Sequence, residues 1–223
     1  MEAVLMTEAA LPRPDSRRLV LDQAARLFRE RGFAETSLRD IAGACGMKTA
    51  SLYYHFPSKE DIVAEVLNTG IANVAAEVQR RIAALGPDAP PADLLRAGIS
   101  GHLHALLELD DFTGANIRIF GHVPPRVRAA TMAQREQYEQ MWRDLLADAA
   151  ARGAIRPGTD LRLLRLLLLG AMNWTVEWHK PRRNEADSVE AIARSLVDLA
   201  LHGVFEAAPA PSARPRGAVA RRG

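Results

Sequence analysis

Leu38-Arg39-Asp40-Ile41-Ala42-Gly43-Ala44-Cys45-Gly46-Met47-Lys48-Thr49-Ala50-Ser51-Leu52 decides how this chain folds. Ala42 is small, as needed where two helices cross closely. Gly46, four residues on, supplies the left-handed backbone of a tight turn. Met47 and Leu52 fall where a second helix drops side chains onto the first. This is the spacing of a helix-turn-helix, whose second helix lies in a DNA major groove. An ordinary helical hairpin is the competing assignment. Residues 41–59 contain Lys48 and Lys59 and no acid, so the local field suits phosphate. The formal charge of the whole chain is only +2, too small to point to nucleic acid by itself.

Outward from this stretch the pattern stays helical. Upstream, Val20, Ala24, Leu27 and Phe28 recur at i, i+4, i+7 and i+8, one helix face, and Gly32 reads as the stop. Ser37 and Asp40 form a capping box. A second short helix runs from about Lys48 to His55 and Pro57 ends it. Ser58 with Asp61 opens a long helix to about Leu85, carried by Ile62, Val66, Val74 and Val78. Gly86-Pro87-Asp88-Ala89-Pro90-Pro91 is a loop. Further helices are predicted over Leu94 to Leu109, Asn116 to His122, Pro125 to about Arg152, Leu161 to Trp178 and Asp187 to about Phe205. Asp110, Asp111 and Gly114 are expected to interrupt the first two, and Arg162 and Arg165 to break the apolar run after Leu161 on its outward side. No strand and no internal repeat is predicted. The fold class is therefore all-α, with a flexible arm over 1–14, a three-helix unit over 15–60, a larger helical unit over 61–206 and a disordered tail over 207–223.

Other chemistries find little support. The one cysteine, Cys45, rules out an internal disulfide and a cysteine-rich zinc site; it suits a small buried apolar position. His102, His104 and His122 invite a metal, but His102 and His104 are two apart and face different ways on a helix. His104 with Glu108 makes half a site at best. No metal and no cofactor is expected. There is no phosphate-cradling glycine loop and no G-x-S-x-G elbow. No apolar run is long enough to span a bilayer, and the first residues lack the pattern of a signal peptide, so a cytoplasmic location without membrane contact is expected.

Thr36-Ser37-Leu38-Arg39-Asp40-Ile41-Ala42, then Ser51-Leu52-Tyr53-Tyr54-His55-Phe56-Pro57-Ser58-Lys59-Glu60, with Phe28 and Gly32-Phe33 before them, resembles the DNA-binding domain of the TetR family of bacterial repressors. The likeness covers about Ser16 to Leu67. It implies an N-terminal helix-turn-helix domain joined to a larger C-terminal ligand-binding and dimerisation domain. It also implies a homodimer that binds a palindromic double-stranded DNA operator and leaves it when a small-molecule effector binds. Carried over residue by residue, Thr36, Ser37 and Tyr53 or Tyr54 bond phosphates, Lys59 adds charge, and His55 reaches a phosphate. One tyrosine is expected to pack and the other to face DNA. Lys48, Thr49, Ala50 and Ser51 open the recognition helix, where Lys48 can reach a guanine and Thr49 a thymine methyl. Leu38, Ile41, Cys45, Leu52 and Phe56 form the packing set.

The ligand site is expected among Arg118, Phe120, His122, Tyr138, Trp142, Asn173, Trp174, Glu177 and Trp178. Trp174 and Trp178 share a helix face; filling the core or a dimer seam is the alternative for both indoles. Gly170-Ala171-Met172-Asn173-Trp174-Thr175, followed by Trp178 and Pro181, resembles family members that control fatty-acid, steroid or aromatic catabolism, several of which respond to acyl-CoA. Such relatives place a basic residue where this chain has Glu177; Arg118, Lys180, Arg182 and Arg183 offer charge instead. Leu163, Leu164, Leu167, Leu168, Leu196 and Leu199 suit a four-helix dimer seam. The alternative function is a helical enzyme or binding protein acting on an acyl thioester without DNA.

Overall fold

The computed structural model describes residues 16–86, 88–179 and 188–202. The expectations for the arm, the tail, Lys180, Arg182 and Arg183 lie outside them. The described residues form α1 (Ser16–Arg31), α2 (Leu38–Ala44), α3 (Thr49–His55), α4 (Lys59–Ala83), α5 (Pro91–His104), α6 (Asp111–Ile119), α7 (Pro125–Ala151), α8 (Leu161–Trp178) and α9 (Val189–His202). A π-turn, Ala105–Leu109, continues α5, and a 3₁₀ turn, Phe120–His122, continues α6.

Local chemistry sets most of the ends. Ser37 caps α2: its hydroxyl accepts from Asp40 N, while Asp40 accepts from Ser37 N at 2.8 Å. A hydrogen bond donated by the Ser37 hydroxyl, together with that from Ser37 N, holds the Asp40 carboxyl below its ordinary value. Ser58 caps α4 through Asp61 N. Pro125 occupies the first turn of α7, where its missing N–H is no loss. Gly46 takes φ +66° at the turn between α2 and α3, as the spacing required.

Two expectations are corrected. α5 begins at Pro91 rather than Leu94, and its last turn is π-helical. Asp110, in extended backbone, does interrupt the helix after Leu109 and caps α6 by accepting from Phe112 N at 2.8 Å, but Asp111 and Gly114 lie within α6, Gly114 buried.

Two apolar cores organise the helices. The first joins Val20, Ala24 and Phe28 of α1, Ile41 of α2, Leu52 of α3, Ile62 and Val66 of α4, and Phe112 and Ile119 of α6. The second joins Leu95, Ile99 and Leu103 of α5, Trp142 and Leu146 of α7, Leu168 and Met172 of α8, and Val189 and Val197 of α9. α4 serves both ends of the molecule. Its first turns close the N-terminal core, and Gly70, Ile71 and Val74 further along face a cavity.

Candidate nucleic-acid interface and ligand cavity

The helix-turn-helix is held from behind. Ile41, Ala42, Leu52 and Phe56 are buried, with Leu38, Cys45 and Met47 packed against them. Burial raises the Cys45 thiol pKa, which keeps it protonated and unreactive. The opposite side of α3 presents Lys48, Ala50, Ser51, Tyr53 and Tyr54 to solvent, with Thr49 and His55 half-buried. Tyr54 is 89% exposed and Tyr53 53%. The expectation that one of the two packs is overturned: neither ring enters the core, and Tyr54 stands perpendicular to the His55 ring.

Thr36 is a second correction. It is fully buried, and its hydroxyl donates to Gly32 O at 2.8 Å, with Leu27 O at 3.4 Å. It ties the end of α1 to the start of α2 and offers nothing to a phosphate. Ser37 beside it is exposed. Lys59 donates to Phe33 O at 2.5 Å and lies 4.0 Å from the centre of the Phe33 ring. Partial burial lowers its pKa. This bond joins α4 to the α1–α2 loop, and the partly exposed ammonium keeps its charge and two further donors for a phosphate.

A cavity of about 290 Å³ lies between α4, α5, α6, α7 and α8. Of the nine expected ligand residues, Tyr138 and Asn173 line it. The other seven do not. Trp142 is completely buried behind the wall, edge-on to Tyr138 and His102. Phe120 lies under the Arg135 guanidinium, 3.6 Å from ring centre to Cζ. Arg118, His122 and Glu177 are exposed. Trp174 and Trp178 are 65% and 50% exposed, because their face of α8 turns away from the cavity.

Among the wall residues that the sequence did not point to are His102, Asn116, Arg135, Glu139 and Arg165. His102 sits on the apolar stripe Leu95, Ile99, His102, Leu106, all buried; that periodicity was the available signal. Its Nε2–H donates to Asn173 Oδ1 at 3.0 Å, and the Tyr138 hydroxyl, 2.6 Å from Nδ1, donates to that nitrogen in the same tautomer. Burial pushes the His102 pKa down to about 4 and the Tyr138 pKa up, so both are neutral near pH 7. Arg135 shares the α7 face of Tyr138. Glu139 and Arg165 pair at 2.9 Å across α7 and α8. Arg165, expected outward, is buried, because this pair brings its charge inside. His104, weighed with Glu108 as half a metal site, lies between two carboxylates, with Nδ1 3.1 Å from Glu77 and Nε2 3.8 Å from Glu108.

The architecture and the exposed helix-turn-helix agree with the comparisons. The family model described as "Bacterial regulatory proteins, tetR family" matches residues 20–66. The one described as "Tetracyclin repressor-like, C-terminal domain" matches residues 88–204, more than half the chain. The chain belongs to the TetR family. This is a family of helix-turn-helix DNA-binding regulators, not of enzymes, which sets aside the enzyme alternative. Among TetR-family relatives, the HTH-type transcriptional repressor KstR2 of Rhodococcus jostii (strain RHA1) is 28% identical over 190 residues, 83% of this chain and 89% of the relative. The TetR-family regulator PfmR of Thermus thermophilus superposes with a TM-score of 0.73 at 29% identity, covering 84% of this chain and 99% of that one. AibR, solved with isovaleryl coenzyme A and operator DNA, gives 0.74 at 28% identity, covering 86% and 100%. Among the described residues, no helix is long and apolar enough to cross a membrane.

Proposed function

We propose that this TetR-family protein is a ligand-responsive transcriptional repressor that binds a palindromic operator as a homodimer. Its DNA-binding unit is 15–60 and its ligand-binding and dimerisation unit 61–206. The observation that carries the reading is the exposed side of α3, where Lys48, Ser51, Tyr53 and Tyr54 stand on a rigidly packed helix pair. In the recognition geometry of such a pair, Lys48, Thr49, Ala50 and Ser51 read base edges, while Ser37, Tyr53, Tyr54 and His55 hold phosphates. The KstR2 relative is a repressor, which supports the sign.

An uncovered apolar stripe on α8 supports the dimer. Leu163, Leu167, Gly170, Trp174 and Trp178 fall on one side of the helix and all are exposed, Leu167 at 71%. Leu199 of α9 is exposed too, whereas Leu168 is buried in the monomer core and takes no part in the seam. Stripes of this kind mark association surfaces.

The cavity supports a small effector. Asn116 joins it to the DNA-binding end: its Oδ1 accepts from Arg135 at 2.8 Å, and its Nδ2 donates to Leu67 O of α4 at 2.6 Å. A ligand that displaces Arg135 or Asn116 acts on α4, which also packs the helix-turn-helix, and it shifts the equilibrium by its differential affinity for the two states. AibR was solved with an acyl-CoA, and that class belongs among the effectors to test.

The reading is tested by measuring affinity for a selected operator over a range of salt. Lys48→Ala should cost about 1–3 kcal/mol and relax base preference at one position in each half-site. Leu167→Asp should give a folded monomer by sedimentation and lose high-affinity binding. A Lys48→Ala protein with unchanged affinity and preference, or a dimeric Leu167→Asp protein, would refute the corresponding assignment.

A further inference from the structure

The cavity wall carries one positive charge more than it neutralises. Arg165 is matched by Glu139, whose carboxylate also lies 3.7 Å from Arg143. Among the described residues, no carboxylate forms an ion pair with Arg135. One of its terminal nitrogens donates to the Asn116 amide oxygen, and the plane of the guanidinium covers the Phe120 ring. The Nε atoms of Arg135 and Arg165 are both buried and make no hydrogen bond. His102, neutral, adds no charge. A native protein rarely leaves such donors unmatched, and Arg135, partly desolvated, feels the charge of Glu139 only in competition with Arg165 and Arg143, which hold that carboxylate in their ion pairs. The rest of the wall is largely apolar: Ile71, Val74, Ile117, Leu166 and Leu169.

We propose that the cavity recognises a small monocarboxylic acid with an apolar body, its carboxylate held by Arg135 and its hydrocarbon part lying along the apolar wall. The inference rests on the ligand-responsive reading above and names the chemical class of its effector. A planar guanidinium matches a carboxylate with two parallel hydrogen bonds. The single unmatched charge suits a monoanion. An amide, ester or thioester carbonyl accepts a hydrogen bond but leaves the charge uncompensated, so a site built this way rejects the neutral analogue.

The test is calorimetric binding to the full-length protein without DNA. Octanoate, cyclohexanecarboxylate and phenylacetate are each compared with the primary amide and methyl ester of the same acid, and octanoyl-CoA is added as the thioester. At least one acid should bind about tenfold or more tightly than its amide and ester. Arg135→Met should make acid and amide equal, while Arg135→Lys should keep part of the preference. If Arg135→Met fails to fold, the wild-type ratio and Arg135→Lys decide the matter. Equal binding of acid and amide, binding of the thioester alone, or binding of none of the acids overturns the proposal. Operator release by octanoyl-CoA without any acid preference would sink the proposal and leave the regulator intact. A protein that binds acids selectively but no DNA would do the reverse.

Discussion

Gly70→Ala should cost about 3 kcal/mol of stability, near the upper end for inserting a methyl group into a packed site. A Cβ at this position of α4 would stand 2.5 Å from Phe112 O and 2.9 Å from Phe112 C, both backbone atoms of α6. Backbone within a capped helix cannot swing aside as a long side chain can. At Gly114 the nearest atoms belong to the Arg29 side chain, at 3.0 Å, which can move, so Gly114→Ala serves as the milder control. The two helices are also tied at this crossing, since the Thr113 hydroxyl donates to Gly70 O at 3.3 Å and Asn116 Nδ2 to Leu67 O. Forcing α4 from α6 therefore disturbs both the cavity wall and the core behind the helix-turn-helix. Thermal or urea unfolding of the two variants checks this. Equal, small losses for both would show that the α4–α6 crossing is looser than described.

His102 should make stability rise with pH between about 4 and 6.5. The ring is 3% exposed, and its folded pKa of about 4 lies below the ordinary 6.5. Between those values the unfolded chain binds a proton that the folded protein excludes, so acid favours unfolding. The contribution is complete above pH 6.5 and is lost as the pH falls to about 4, amounting to roughly 3 kcal/mol. Glu77 works in the same direction at lower pH. Arg80 and Arg81 hold its pKa near 2 against an ordinary 4.5, so its contribution disappears mainly below pH 4.5. His102→Gln retains a donor and an acceptor but does not titrate, and it should flatten the curve between about pH 4 and 6.5 while leaving the part below pH 4 unchanged. Parallel curves for wild type and His102→Gln would show that the imidazole stays hydrated in the folded state.

Much of the fold is legible in the sequence because local signals agree. Gly46, Ala42 and the Ser37–Asp40 box each specify the same helix-turn-helix, and α4, α7 and α8 show plain apolar periodicity. The misreadings have physical causes. Gly114 looks like a breaker until the close approach of Arg29 to its bare Cα is seen. The motif position of Thr36 suggests phosphate, yet its hydroxyl is consumed by Gly32 O. The cavity is the least legible part. Aromatic residues draw attention to α8, but Trp174 and Trp178 lie on the face away from the cavity. Arg165 reads as outward-facing and nothing in the sequence singles out Arg135; only the packing of α7 against α4, α5 and α8 brings their charges inside. Which face of an apolar helix turns inward is settled by its neighbours, and a single sequence does not carry that information.

Operator recognition by a two-fold dimer is tested most directly by selection with the purified protein from a random-sequence duplex library at moderate salt, followed by sequencing. The expected result is an enriched near-palindrome with half-sites one helical turn or somewhat more apart, whose base preference changes in the Lys48→Ala protein. A folded protein that enriches no sequence, or a motif that is unchanged by Lys48→Ala and lacks two-fold symmetry, would contradict it.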